Sequence, residues 1–324
     1  MAVGPGGRPR RGRRAVLWCL ITSLAGVVVM AGVMAARSGA SGSASLTVPS
    51  AGPTTEVTVS ATPSPRATAK KRRSTGLSKT ARSRLTGTLS DYLDGRTGRL
   101  AITARDLSTG VTFGYGTKLK FPTASIVKVD ILAALLLKAQ RAGRTLTTSE
   151  KSTATRMIEY SDNKAANALW AEIGGTGGLT AANRKLGLRS TIAGSGGYWG
   201  VTMTSTADQL RLLSALTSKK SPLSARSRAY ALGLMGDVIS TQDWGVSAGA
   251  DDGDSVALKN GWLPRATDGG TWVVNSIGRI HGDGHDYLIA VLSDHNTTMD
   301  SGVTKVEHVT QLVTKAFGKE LGRA

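Results

Sequence analysis

Thr123-Ala-Ser-Ile-Val-Lys-Val-Asp-Ile-Leu-Ala-Ala-Leu-Leu-Leu-Lys-Ala-Gln-Arg-Ala-Gly143 sets one lysine, Lys128, among Val127, Ile131, Leu132, Leu135 and Leu136. Apolar residues occupy nearly every side of this stretch, which predicts a central, buried helix. Phe121-Pro122 reads as an extended approach, with Thr123 as the cap of the helix after it. Ser125 then falls in the first turn, where free N–H groups and the helix dipole favour negative charge. Lys128, three residues on, shares its face. Lys138 and Arg141 suit the C-terminal end, and Gly143 stands just past it. A serine hydroxyl is a weak nucleophile until a base takes its proton. A lysine does so only if its pKa falls from about 10.4 toward about 7–8. That shift is worth about 4 kcal/mol, within reach of burial and a second cation. Taken alone, the pair also reads as a core-helix lysine snorkelling to the surface.

Two distant stretches bear on that choice. Tyr160-Ser161-Asp162-Asn163-Lys164-Ala165-Ala166-Asn167 contains Ser-Asp-Asn, by itself a helix N-cap. Val256-Ala-Leu-Lys259-Asn260-Gly261-Trp262 reads as a strand running into a turn. In this order, Ser-x-x-Lys, Ser-Asp-Asn and Lys-Thr-Gly are the motif set of class A β-lactamases and penicillin-binding proteins. The chain resembles that superfamily over about residues 80–320, with Asn260 in place of the threonine or serine of the third motif.

The resemblance implies a serine hydrolase acting by acyl transfer on a β-lactam or a D-Ala-D-Ala-like cell-wall peptide, without a cofactor. It implies Ser125 as nucleophile, Lys128 as proton acceptor and Ser161 as the relay to the leaving nitrogen. Asn163 would bind the substrate's side-chain amide. Lys259 would hold its carboxylate and add the second cation that keeps Lys128 neutral. Asn260 would donate to the carboxylate, and Gly261 would let substrate backbone approach the strand. The N–H groups of Ser125 and Trp262 would form an oxyanion hole, with the Trp262 ring at the mouth. One part is absent. The family hydrolyses its acyl-enzyme with a loop glutamate after the second motif, yet Ile173 to Ala207 contains no Asp or Glu. Ser195-Gly-Gly-Tyr-Trp-Gly200 takes roughly that place; Glu172 and Glu159 are the nearest substitutes, and each also reads as an exposed helix residue. A non-catalytic domain that binds or senses penicillin or cell-wall peptide is the alternative.

Outward from the motifs, helical spacing covers Lys79–Leu93, Thr148–Tyr160, Lys164–Ile173, Thr206–Leu216 and Val303–Phe317. Thr147 with Glu150 is a capping-box pattern. Strands are expected at 100–104 and 112–115 around a Ser108-Thr-Gly turn, then at 255–260, 271–279 and 287–294. Strands at both ends and helices between predict an α+β fold: one antiparallel sheet completed by the two chain ends, with helices packed on it and a helical subdomain. His281-Gly-Asp-Gly-His285-Asp resembles a metal cluster, but Asp283-Gly284 between strands is a hairpin signal. Asp251-Asp-Gly-Asp254 reads as a solvated loop. No metal is expected.

The chain of 324 residues does not belong wholly to that domain. Residues 1–14 carry five arginines and no acid, and 15–36 is an uncharged apolar run of 22 residues. At about 1.5 Å per residue the run spans a bilayer core of about 30 Å, as an anchor or an export signal. Arginine before it places the remainder of the chain outside the cytoplasm. Residues 37–75, rich in Ser, Thr, Pro and Ala with a basic end, read as a disordered linker. Residues 76–324 form the domain. Cys19, the single cysteine, lies in the apolar run, so the exported part has no disulfide. Residues 1–75 carry net +10 of the chain's +19. That balance suits envelope polyanions or anionic headgroups rather than nucleic acid, or else a solvated face with a topogenic arginine cluster.

Overall fold

A computed structural model describes residues 77–320. The basic segment, the apolar run with Cys19 and the linker through residue 75 lie outside the described residues. Among the described residues, no helix is long and apolar enough to cross a membrane.

One helix, α1 (Lys79–Leu93), precedes an antiparallel hairpin of β1 (Arg99–Asp106) and β2 (Thr112–Tyr115). After the short strand β3 (Phe121–Pro122) come α2 (Val127–Arg141), α3 (Thr148–Glu159), α4 (Asn163–Glu172) and α5 (Gly175–Lys185). The two-residue β4 (Met203–Thr204) pairs with β3. It leads to α6 (Thr206–Thr217) and α7 (Ala225–Gly236). Three long strands come next, β5 (Ser255–Arg265), β6 (Thr271–Gly282) and β7 (His285–Asn296), and α8 (Met299–Glu320) closes the chain. The five-stranded sheet runs β2-β1-β7-β6-β5, antiparallel throughout. The first and last strands in sequence are thus neighbours in space, as the two-ended sheet expected.

Period-two alternation divides the core between the sheet's two faces. On β7, Leu288, Ala290 and Leu292 join the helical core around α2, whereas Tyr287, Ile289 and Val291 meet Val306, Val309, Val313 and Phe317 of α8. The helix α2 is the centre of the first core, with Val127 to Leu136 buried without interruption. The capping box forms as expected, Thr147 Oγ1 accepting from Glu150 N at 3.1 Å and Glu150 Oε2 from Thr147 N at 2.6 Å.

Several local expectations are corrected. Thr123 makes no side-chain cap; its backbone is helical, and a 3₁₀ turn, Ala124–Ile126, precedes α2. Ser125 therefore sits in that turn rather than in the helix proper. The third-motif strand continues to Arg265 instead of ending in a turn at Gly261. Asp283-Gly284 is the expected two-residue hairpin turn, with Gly282 opposite His285. The discounted metal segments nevertheless meet: His285 Nε2 lies 3.0 Å from Asp254 Oδ2. Donor atoms of Asp251, Asp254 and His285 all fall within 4.8 Å of one another. Asp254 Oδ2 also accepts from Asp251 N at 2.8 Å, so the group fastens the loop before β5 to the β6–β7 hairpin.

Candidate active site

The turn bearing Ser125 is held by three separate elements. Thr123 N donates to Thr202 O at 2.8 Å. Buried Asn275, on the inner strand β6, donates through Nδ2 to Pro122 O at 2.9 Å and Thr123 O at 3.0 Å. On β5, a Cβ at Gly261 would stand 2.7 Å from the backbone nitrogens of both Ser125 and Ile126. Real Cβ atoms do not come so close, so glycine is required there by this chain's own backbone. Ala124 has φ 46°, a left-handed conformation that costs a non-glycine residue about 1–2 kcal/mol. That strain sits directly before the half-buried Ser125.

Lys128 projects from the first turn of α2 and is wholly buried. Its Nζ lies 2.6 Å from Ser161 O, 3.0 Å from Ser161 Oγ and 2.8 Å from Asn163 Oδ1. The first and second motifs are thereby joined. Ser161 has φ 56°, a second strained non-glycine residue at the site. Asp162, between the two contacts, caps α4 by accepting from Ala165 N at 2.9 Å. The Ser-Asp-Asn run is thus both a cap, through Asp162, and a cradle for a lysine, through its flanking residues. Burial lowers the Lys128 pKa to about 7, against a smaller opposing pull from Asp162. On the same helix, burial pushes the Asp130 carboxyl up to about 8.

Lys259 is also fully buried. Its Nζ donates to Gln242 Oε1 at 3.2 Å and Asn260 O at 3.1 Å. Burial, and then repulsion from Lys128, holds its pKa well below the usual lysine value. Burial is the first cause of the lowering at both lysines. Gln242 was not legible as a site residue in its loop. It ties the motifs together: Nε2 donates to Tyr160 O at 3.0 Å, directly before Ser161, and Oε1 receives Lys259.

Asn260 and Trp262 are corrected by strand alternation. With Lys259 and Gly261 turned toward Lys128 and Ser125, their neighbours face the other side. Both amide hydrogens of Asn260 go to backbone, to Gln242 O at 2.8 Å and Trp244 O at 2.9 Å. None remains for a substrate carboxylate. The Trp262 ring packs with Trp244, centroids 6.0 Å apart, beside the α8-side core and not at a mouth over Ser125.

What does stand over Lys128 is Trp199, whose ring centroid lies 4.9 Å from Nζ. Trp199 Nε1 donates to Asn167 Oδ1 at 2.8 Å, one helical turn beyond Asn163. The glycine-rich loop expected near the glutamate's place thus delivers an indole. Of the two substitute acids, Glu172 is held by Lys138. Glu159 is raised by partial burial and by Asp237.

The two-ended sheet with its helical core recurs in known proteins. Two solved structures share the fold: penicillin-binding protein PBP-A (TM-score 0.64, 22% identity, 74% of this chain and 97% of that one) and the TLA-1 extended-spectrum β-lactamase (TM-score 0.67, 19% identity, 73% and 99%). A point variant of PBP-A is known as an acyl-enzyme complex with penicillin G. In sequence, the carbapenem-hydrolysing β-lactamase KPC of Klebsiella oxytoca is 33% identical over 114 residues, 28% of this chain and 39% of KPC. LppW of Mycobacterium tuberculosis, named as a candidate lipoprotein, is 29% identical over 202 residues, 60% of this chain. The match spans 62% of LppW's own length. A family model described as the β-lactamase enzyme family matches residues 84–150 and 137–317, so that all three motifs fall within it. The shared sheet and helical core, together with that match over most of the chain, make this protein a member of the β-lactamase enzyme family.

Proposed function

We propose that the domain is a serine acyl-transfer enzyme that forms an ester at Ser125 with a β-lactam or a D-Ala-D-Ala-like cell-wall peptide. The observation that carries this reading is Lys128: a buried lysine whose pKa is brought to about 7, held against Ser161 and Asn163, one turn from Ser125. A neutral amine keeps two N–H bonds for Ser161 O and Asn163 Oδ1, and its lone pair, which faces Ser161 Oγ at 3.0 Å, is able to accept a proton. Lys128 would take the Ser125 proton as Oγ attacks the carbonyl, and Ser161 would pass a proton to the departing nitrogen. The N–H groups of Ser125 and Trp262 would stabilise the oxyanion, each worth about 2.7–4 kcal/mol. Lys259 would exchange Gln242 Oε1 for the substrate carboxylate. The domain would work outside the cytoplasm, held to the membrane through residues 15–36, in keeping with the lipoprotein name of LppW.

A second reading, a penicillin or cell-wall-peptide sensor with little turnover, is favoured by the stretch from Ile173 to Ala207 without an acid. Intact-mass measurement of the purified chain after exposure to benzylpenicillin, with substrate loss followed in parallel, tests both. A single adduct that is absent in Ser125→Ala is expected. Unmodified protein and unchanged substrate would overturn acyl transfer at Ser125.

A further inference from the structure

We propose that Trp199 is a specificity-determining residue that closes the site against hydrolysis, so that an acyl group on Ser125 is retained. This rests on the acyl-transfer reading above. Three observations carry it.

The first is that the loop is fastened at both ends. Thr176 Oγ1 donates to Gly194 O at 2.7 Å, and Gly194 N donates to Thr202 Oγ1 at 3.0 Å. Thr202 O receives Thr123 N, two residues before the nucleophile. A Cβ at Gly194 would lie 2.2 Å from Tyr198 O, so the chain folds tightly back on itself before Trp199. The indole is therefore set over the site by the same residues that set Ser125.

The second is its orientation. The one polar atom of the ring, Nε1, is turned to Asn167, which leaves the carbon face toward Lys128 Nζ. A water bound to Lys128 on that side would need the space the ring fills. The remaining contacts of Nζ are already Ser161 and Asn163.

The third is the disposition of the acids. Hydrolysis requires a water oxygen to bond to the acyl carbon while a base takes its proton; the bond to Ser125 Oγ then breaks and Oγ recovers a proton. Asp162 is occupied as the cap of α4, and Glu172 is held by Lys138. The loop itself carries no acid from Ile173 to Ala207. Trp199 thus bars the water from Lys128, the base that these acids leave to the site.

The test separates acyl formation from acyl loss in the full chain, using a fluorescent penicillin as probe. Intact mass gives the rate of adduct formation; after removal of free probe, its decline gives the rate of loss. Trp199→Ala should accelerate loss by about tenfold or more with formation changed little. Trp199→Glu, which adds a carboxylate base, should accelerate it further, by about 10²-fold. Trp199→Phe, which keeps an apolar cover, should restore the slow loss; a purely structural role would not separate these three variants or the two rates. Circular dichroism establishes that each is folded, and Trp199→Leu serves if Trp199→Ala is not. Equal rates of loss in wild type, Ala and Glu variants would overturn the inference, as would a wild-type adduct lost as fast as it forms. Absence of any adduct in wild type and variants alike would instead overturn the acyl-transfer reading, and this inference with it.

Discussion

Removing two lysines from water next to one another sets a preference for losing a proton, and Lys128 is where that preference meets chemistry. With burial placing it at about 7, the amine is protonated below that pH and free above it. Acylation of Ser125 should therefore rise with pH and reach half its limiting rate near pH 7. Adduct formation by stopped-flow fluorescence between about pH 5 and 9 measures this. A rate independent of pH across that window would remove Lys128 as the base. Lys128→Ala should lower acylation by about 10²–10⁴-fold with the fold intact. The same residue had two readings in sequence, proton acceptor or snorkelling core lysine. Its complete burial and its contacts with Ser161 and Asn163 discard the snorkelling lysine.

At the level of elements, β5 presents chemistry on alternate residues only. Lys259 and Gly261 face the Ser125 turn and Lys128, while Asn260 and Trp262 anchor the loop through Trp244 on the other side. That division was legible in principle, since a strand with Lys259 on one face must turn Asn260, also buried, to the other. It was obscured because the motif was read as a block of neighbours. Gly261→Ala should cost about 1–3 kcal/mol and slow acylation, because the new methyl group must displace the backbone of Ser125 and Ile126. Urea unfolding together with the acylation rate checks it; an unchanged rate would mean the turn yields freely. Other elements gave too weak a signal to read. The helix α5, Gly-Thr-Gly-Gly-Leu-Thr-Ala-Ala-Asn-Arg-Lys, has three glycines that local propensity counts against, and it forms because Leu179 and Ala182 are buried in the core around α2. Trp199 and Gln242 lie in stretches without periodicity, where only tertiary structure tells what a side chain meets.

Across the molecule, the sheet works as a partition with a core on each side, one built around α2 and one closed by α8. Phe317, near the far end of α8, is fully buried and meets the edge of Tyr287 at 5.6 Å between ring centroids. Phe317→Ala should destabilise the domain by about 3–5 kcal/mol while leaving the chemistry of the folded fraction unchanged. Urea denaturation measures the first, and adduct formation per folded molecule the second. A large loss of chemistry in folded protein would mean that the two cores are coupled through the sheet.

The partition is completed by a pairing that joins remote parts of the chain: Arg99 on β1 binds Asp294 on β7, 195 residues later. During synthesis, β1 emerges early and has only β2 beside it, and a two-strand hairpin is marginally stable at best in water. The helix bearing Lys128 emerges next with no sheet to lie on. A chain cut short before β7 thus lacks the strand that joins the two ends of the sheet, and the turn bearing Ser125 gains its full support only when that last strand arrives.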